Sequence, residues 1–146
     1  MPVNSYSEEP ARFLAIDYGL KRVGLALSDP LNIFAYSFKT ILNDKNLLNE
    51  LEIIIKEKNV IKIILGYPLD EKEKKSNIAG YVEKFAKELK KKFSKEIILW
   101  DEEYTSVIAQ EKILESVNKK SKRRNKGLID QNSAAIILQE YIDSLN

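Results

Sequence analysis

The sequence predicts an α/β domain, a five-stranded mixed sheet flanked by helices, and three observations carry that prediction. Three short apolar strands with brief connections open the chain, and two further apolar runs then alternate with stretches of helical spacing before a helical end. Consecutive strands joined by short turns pair antiparallel, whereas strands separated by a helix pair parallel. An antiparallel meander is therefore expected at one side of the sheet, with parallel crossovers at the other.

The first strand, beginning at Arg12, sets the organisation. Phe13, Ala15 and Asp17 alternate with Leu14, Ile16 and Tyr18, so both faces are apolar until Asp17 interrupts one of them. A carboxylate that continues an apolar row is costly unless a cation or hydrogen-bond donors meet it. Two arrangements satisfy that demand. In one, Asp17 accepts a backbone hydrogen bond near Gly19, which takes the positive φ of the bend. In the other, Asp17 is a metal ligand.

The second strand spans Arg22–Ser28, and a loop at Asp29-Pro30 leads to a third over residues 33–40. Residues 44–58 switch to helical spacing, with Leu47, Leu48, Leu51, Ile54 and Ile55 on one face and Asn43 or Asp44 as the cap. The continuous apolar run over 60–65 marks a central strand covered on both sides, ended by Gly66-Tyr67-Pro68. After a charged stretch at 70–76, Ile78, Val82, Phe85, Leu89 and Phe93 define a long amphipathic helix. Glu96–Asp101 is the fifth strand, and residues 105–117 and 128–145 form the last two helices. Residues 1–11 are aperiodic, hold two prolines and read as a flexible arm, leaving 12–146 as one domain. That length suffices for a full core without disulfides or a structural metal.

Composition removes several chemistries. Cysteine and histidine are both absent, so thiolate metal sites, thiol nucleophiles and the commonest general base are excluded. Hydrolysis by this chain must use carboxylates, lysine or activated water. No apolar run has the length of a membrane span, and the polar N-terminal stretch is unlike a signal peptide, so a soluble, cytoplasmic protein is expected. The net charge of +2 announces no partner by itself. The run KKSKRRNK at 119–126 is different, because six of its eight positions are basic. It is either a solvated linker or a phosphate-contacting loop.

Carboxylates gather where the parallel strands end, the region in which ligands bind to such sheets. Asp101, Glu102 and Glu103 follow the fifth strand, and strand parity gives Glu102 the face of Ile98 and Trp100 while Asp101 and Glu103 share that of Ile97 and Leu99. Parity alone leaves open which of these looks toward Asp17. Asp130 is expected in the first turn of the last helix, where an acid also complements the helix dipole. Three carboxylates from two strand ends and a helix start form an all-oxygen set suited to Mg²⁺ or Mn²⁺.

The motifs IDYGLKRVGLALSDP (16–30), LGYPL (65–69), WDEEYTSVIA (100–109) and KGLIDQNSAAIILQEYI (126–142) occur in the order found in one bacterial family. On them the chain resembles the YqgF or RuvX family of the ribonuclease H-like superfamily, described as pre-16S rRNA nucleases and as Holliday-junction-resolvase-like proteins. The resemblance implies a ribonuclease H-like fold and a catalytic, metal-binding set of Asp17, Glu102 and Asp130, which settles the parity question for Glu102. Two positions depart from the family pattern: Glu103 stands where arginine is common, and residues 70–74 lack the usual glycine.

The expected activity is two-metal phosphodiester hydrolysis, most naturally at the 5′ end of pre-16S rRNA. Lys21, Arg22, Lys122, Arg123, Arg124 and Lys126 are the candidate phosphate contacts. The alternatives are a branched-DNA resolvase, which needs a symmetric homodimer, and a non-catalytic RNA-binding factor in ribosome maturation or transcription. An ATP-dependent phosphotransferase is disfavoured, since such proteins resemble two domains of this kind closing on a nucleotide. Monomer and homodimer both remain compatible with the sequence.

Overall fold

Five strands pair in the order β3-β2-β1-β4-β5 in the computed structural model, which describes residues 10–68, 78–101 and 126–146, excepting the side chains of 126–132. The elements are β1 (Arg12–Asp17), β2 (Arg22–Ser28), β3 (Ala35–Leu42), α1 (Leu47–Glu57), β4 (Val60–Tyr67), α2 (Ala79–Lys92), β5 (Glu96–Asp101) and α3 (Lys126–Ser144). β1 pairs antiparallel with β2, and β2 with β3; β1 pairs parallel with β4, and β4 with β5. The meander and the crossovers thus fall on opposite sides of β1, as the connection lengths require.

The alternation in β1 divides the interior in two. Leu14 and Ile16 join Val23, Leu25, Leu27, Ile63 and Leu65 beneath α1 and α2, while Phe13 and Ala15 join Ala26, Ile64 and the buried stripe of α3. Apolar rows on both faces of the central strands are what a sheet covered on both sides demands. Tyr18 prolongs the first row and packs on Phe85 with ring centroids 4.8 Å apart.

Three consecutive residues of α3 fix that helix to three strands. Gln139 Oε1 accepts the Ala35 N–H at 2.8 Å, and its Nε2 donates to the Ile33 carbonyl at 3.1 Å. Glu140 accepts the Trp100 indole N–H at 3.2 Å, and the Tyr141 hydroxyl accepts from Lys62 Nζ at 2.7 Å. Tyr141 also meets Phe13 and Trp100 edge to face, with centroids 5.9 and 5.6 Å away. These contacts set both the axial position and the rotation of α3 over the sheet.

Some expected details differ. β3 is shifted two residues along, because Asp29 takes Phe34 and Ile33 into the hairpin turn through its carboxylate. Neither Asn43 nor Asp44 caps α1: Asp44 Oδ1 accepts the Asn46 N–H at 2.9 Å and closes a turn ahead of the helix, which starts at Leu47. Gly66 and Tyr67 do not end β4 but continue it, paired with Trp100 and Asp101. In α3, Leu145 lies past the last helical residue and is exposed, and Ile142 is buried in its stead. The expected arm (apart from Pro10 and Ala11), the charged stretch at 70–76 and the helix at 105–117 fall outside the described residues.

Candidate active site

Asp17 ends β1 half-buried on the α3 face, two residues beyond Ala15. Its partner on β2 is Gly24. On β4, the parallel register of Ile16 with Leu65 brings Asp17 level with Gly66, which in turn pairs with Trp100 on β5. Both strands beside Asp17 therefore present a glycine in its row. Within the sheet, the residues directly beside Asp17 in its row carry no side chain beyond the backbone. The sequence did carry a signal for these two residues, since glycine inside an apolar strand marks a bulge or a close approach. Its meaning depends on register between strands far apart in the chain.

The turn after Asp17 is tied to the end of β3. Asn43 Nδ2 donates to the Gly19 carbonyl at 2.7 Å, and the Asn43 N–H donates to the Lys21 carbonyl at 2.9 Å. Contrary to expectation, Gly19 does not take a positive φ. Its need is steric: a Cβ there would lie 2.5 Å from the Arg22 carbonyl oxygen. Lys21 is exposed in this turn and Arg22 is half-buried at the start of β2, so both stand at the same end of the sheet as Asp17.

At β5, Ile98 and Trp100 pack on the α3 side, whereas Ile97 packs on the other. The face of Asp17 is thus the face of the even-numbered residues of β5. Asp101, exposed at the strand end, belongs to the odd-numbered set. Glu102, Glu103, Lys122, Arg123 and Arg124 lie outside the described residues. Asp130 lies in α3, but the helix is already formed at Lys126, so this acid stands beyond the first turn, where the dipole effect has faded. The side chains of Asp130 and Lys126 are not among those described. Among the described residues, no three carboxylates gather as a ligand set.

One acid outside this region is perturbed. The Asp29 carboxyl is held below its ordinary value by the backbone N–H groups of Phe34 and Ile33, which donate to it at 2.9 and 2.7 Å. It organises the β2–β3 hairpin together with the buried Ser28, whose hydroxyl accepts the Phe13 N–H at 2.8 Å and donates to Asn32.

The family model described as "RuvX: Holliday junction resolvase" matches residues 11–144. The chain belongs to the RuvX family. Relatives named "Putative pre-16S rRNA nuclease" include one from Porphyromonas gingivalis, 42% identical over 91% of this chain and 96% of its own length. Another, from Amoebophilus asiaticus, is 41% identical over 91% of this chain and 94% of its own. A third, from a Sulfurihydrogenibium species, is 37% identical over 93% and 92%. Among solved structures, RuvC of T. thermophilus in complex with a Holliday junction substrate covers 92% of the chain and 95% of its own, with a TM-score of 0.57 and 12% identity. The Fowlpox virus resolvase in complex with its substrate Holliday junction DNA covers 92% and 98%, at a TM-score of 0.54 and 15% identity. With the sheet order described above, these likenesses give the chain a ribonuclease H-like fold.

Proposed function

We propose that this chain is a metal-dependent endonuclease that hydrolyses phosphodiester bonds at the 5′ end of pre-16S rRNA. The observation that carries this reading is the placement of Asp17: a carboxylate on the α3 face of the central strand, at the carboxyl end of the parallel strands, flanked by Gly24 and Gly66. The names of relatives covering nearly the whole chain support the substrate.

Asp17, Glu102 and Asp130 are the residues that would hold Mg²⁺ or Mn²⁺. The parity of β5 supports Glu102 over Asp101 and Glu103, since Trp100, two residues earlier, packs on the face of Asp17. Helical spacing supports position 130 as well, three residues before Ser133 and seven before Ile137 in the buried stripe of α3. An all-oxygen set suits these hard cations, and no histidine or thiolate is present to favour softer ones. The ions supply charge neutralisation of the phosphate and a more acidic attacking water. The chain's own part is to hold three anionic ligands against α3 and the sheet, with glycine at the two sheet positions beside Asp17. Lys21, Arg22, Lys126 and the triplet Lys122, Arg123 and Arg124 position the phosphate backbone, a task that carries little base information. The working unit is a single domain over 12–146. Action in the cytoplasm is part of this reading; among the described residues, no helix is long and apolar enough to cross a membrane.

Likeness to two resolvases in complex with junction DNA favours a second reading, cleavage of branched DNA by a homodimer. Incubating the purified protein with Mg²⁺ or Mn²⁺ beside a 5′-extended 16S precursor and a four-way junction, with Glu102→Gln as control, separates the two. Cleavage of the precursor alone supports the first; cleavage of the junction alone replaces it with the second; neither cut, or equal cutting by Glu102→Gln, refutes the nuclease.

A further inference from the structure

The opposite side of the sheet carries a surface that the carboxylate chemistry does not use. Between Leu25↔Lys39 and Ala26↔Ser37 the β2–β3 ladder slips, leaving Phe38 as the extra residue of a bulge. Bulges re-aim side chains. Phe38 packs against the core beneath α1, and Lys39 is paired with Leu25 of that core, so two consecutive residues serve one face. Tyr36, paired with Leu27, belongs to the same face.

Cations are interleaved with these rings. Lys39 Nζ and, from the C-terminal end of α1, Lys58 Nζ lie 5.7 and 5.8 Å from the centroid of Phe38. Arg12 Nη1 donates to the Tyr36 hydroxyl at 3.0 Å. Tyr36 is 40% exposed, and Phe34, just before β3, is 66% exposed. Among the described residues, the acids in this region include Asp29, whose carboxylate accepts the N–H groups of Ile33 and Phe34, and Glu57, exposed at the end of α1. The hairpin is also pre-organised, because Asn32 joins the Ser28 hydroxyl to the Ala11 carbonyl.

Exposed rings alternating with lysine and arginine have the chemistry of a stacking platform, on which bases lie against aromatic faces while cations track the phosphates. Duplexes hide their base faces, so the fitting ligand is unpaired. Arg12 and Asp17 are five residues apart on one strand, about 17 Å, whereas Lys39 stands level with Ile16 two strands away, so the platform runs from the far end of the sheet up to the level of the carboxylate on the opposite face. β3 is the outermost strand on this side of the sheet, and a single strand can pass around it from one face to the other.

We propose that Phe34, Tyr36 and Phe38, with Arg12, Lys39 and Lys58, bind single-stranded nucleic acid flanking the site of cleavage. The proposal takes only the class of ligand from the nuclease reading. Its test is fluorescence anisotropy with a labelled oligo-uridine of about 15 nucleotides in EDTA, where no cleavage intervenes, beside an RNA duplex of the same length. Phe34→Ala with Tyr36→Ala is expected to weaken single-strand binding about tenfold and duplex binding hardly at all. Lys39→Gln with Lys58→Gln lowers the single-strand salt slope by about 1.4. Phe34→Trp with Tyr36→Phe retains binding. Wild-type affinity in the double alanine variant, or equal loss for duplex and single strand, overturns the platform. Should the alanine variant melt early, photocrosslinking of the wild-type protein to a thiouridine oligomer decides, with adducts at Phe34 or Tyr36 expected and their absence overturning it. Cleavage assays of Asp17→Asn report on the nuclease separately, since that variant leaves the platform intact.

Discussion

Removing the hydroxyl of Tyr141 tests how α3 is fixed over the sheet. Tyr141 is 6% exposed and accepts a hydrogen bond from Lys62 Nζ at 2.7 Å, while the same ammonium lies 5.2 Å from the Tyr141 ring and 5.0 Å from that of Phe13. The Lys62 side chain is 21% exposed, and its carboxylate partner Glu96 is 4.0 Å away. A hydrogen bond to a charged group is worth about 1.5–3 kcal/mol. Partial exposure lets water replace some of it, so Tyr141→Phe should cost about 1–2 kcal/mol, or roughly 3–6 °C in Tm for a chain of this size. Tyr141→Ala also removes the ring from between Phe13 and Trp100 and should cost about 3–5 kcal/mol. Urea unfolding of both variants and of Lys62→Met, closed as a double-mutant cycle, measures these terms. Equal stability of Tyr141→Phe and wild type, or no coupling to Lys62, would refute the clamp.

Gly19→Ala should destabilise the protein by about 1–3 kcal/mol in urea unfolding, because its Cβ meets a backbone oxygen that has no freedom to rotate away; an unchanged midpoint contradicts the steric account of this turn. Gly66→Ala places a methyl beside Asp17 and should reduce metal-dependent cleavage more than it reduces stability, a split read by comparing initial rates with melting curves. The Asp29 carboxyl titrates below its ordinary 3.8, so its stabilising effect is complete above that pH and is lost as pH falls through the lowered value. Acid unfolding of Asp29→Asn should therefore lack that component, visible as faster amide exchange at Ile33 and Phe34 already at neutral pH. Replacing Lys122, Arg123 and Arg124 by alanine should flatten the salt dependence of RNA binding by about two to three contacts, at roughly 0.7 each, with little change in Tm. An unchanged slope makes 119–126 a solvated linker.

Local periodicity made most of the architecture legible. The alternation of Phe13, Ala15 and Asp17 with Leu14 and Ile16 foretold a strand covered on both sides, and the spacing of Leu47, Leu51, Ile54 and Ile55 foretold the buried face of α1. Features that depend on pairing between distant segments were not legible. Gly24 and Gly66 become neighbours of Asp17 only through the register of three strands, and Gln139 reaches Ala35 across 104 residues. The bulge at Phe38 leaves no mark on the alternation of β3 that separates it from an ordinary strand. Local competition misled elsewhere: Asp44, a good cap by type, closes a turn with Asn46 just ahead of the helix. Of the three family acids, Asp17 alone has a described side chain, at the carboxyl end of β1.

The most direct measurement is the Mg²⁺- or Mn²⁺-dependent cleavage rate of a 5′-extended 16S precursor by wild type and by Asp17→Asn, with melting and RNA affinity measured on the same preparations. The nuclease account predicts that Asp17→Asn folds and binds the precursor but cuts it at least about a hundredfold more slowly. Cleavage by Asp17→Asn at the wild-type rate would contradict it.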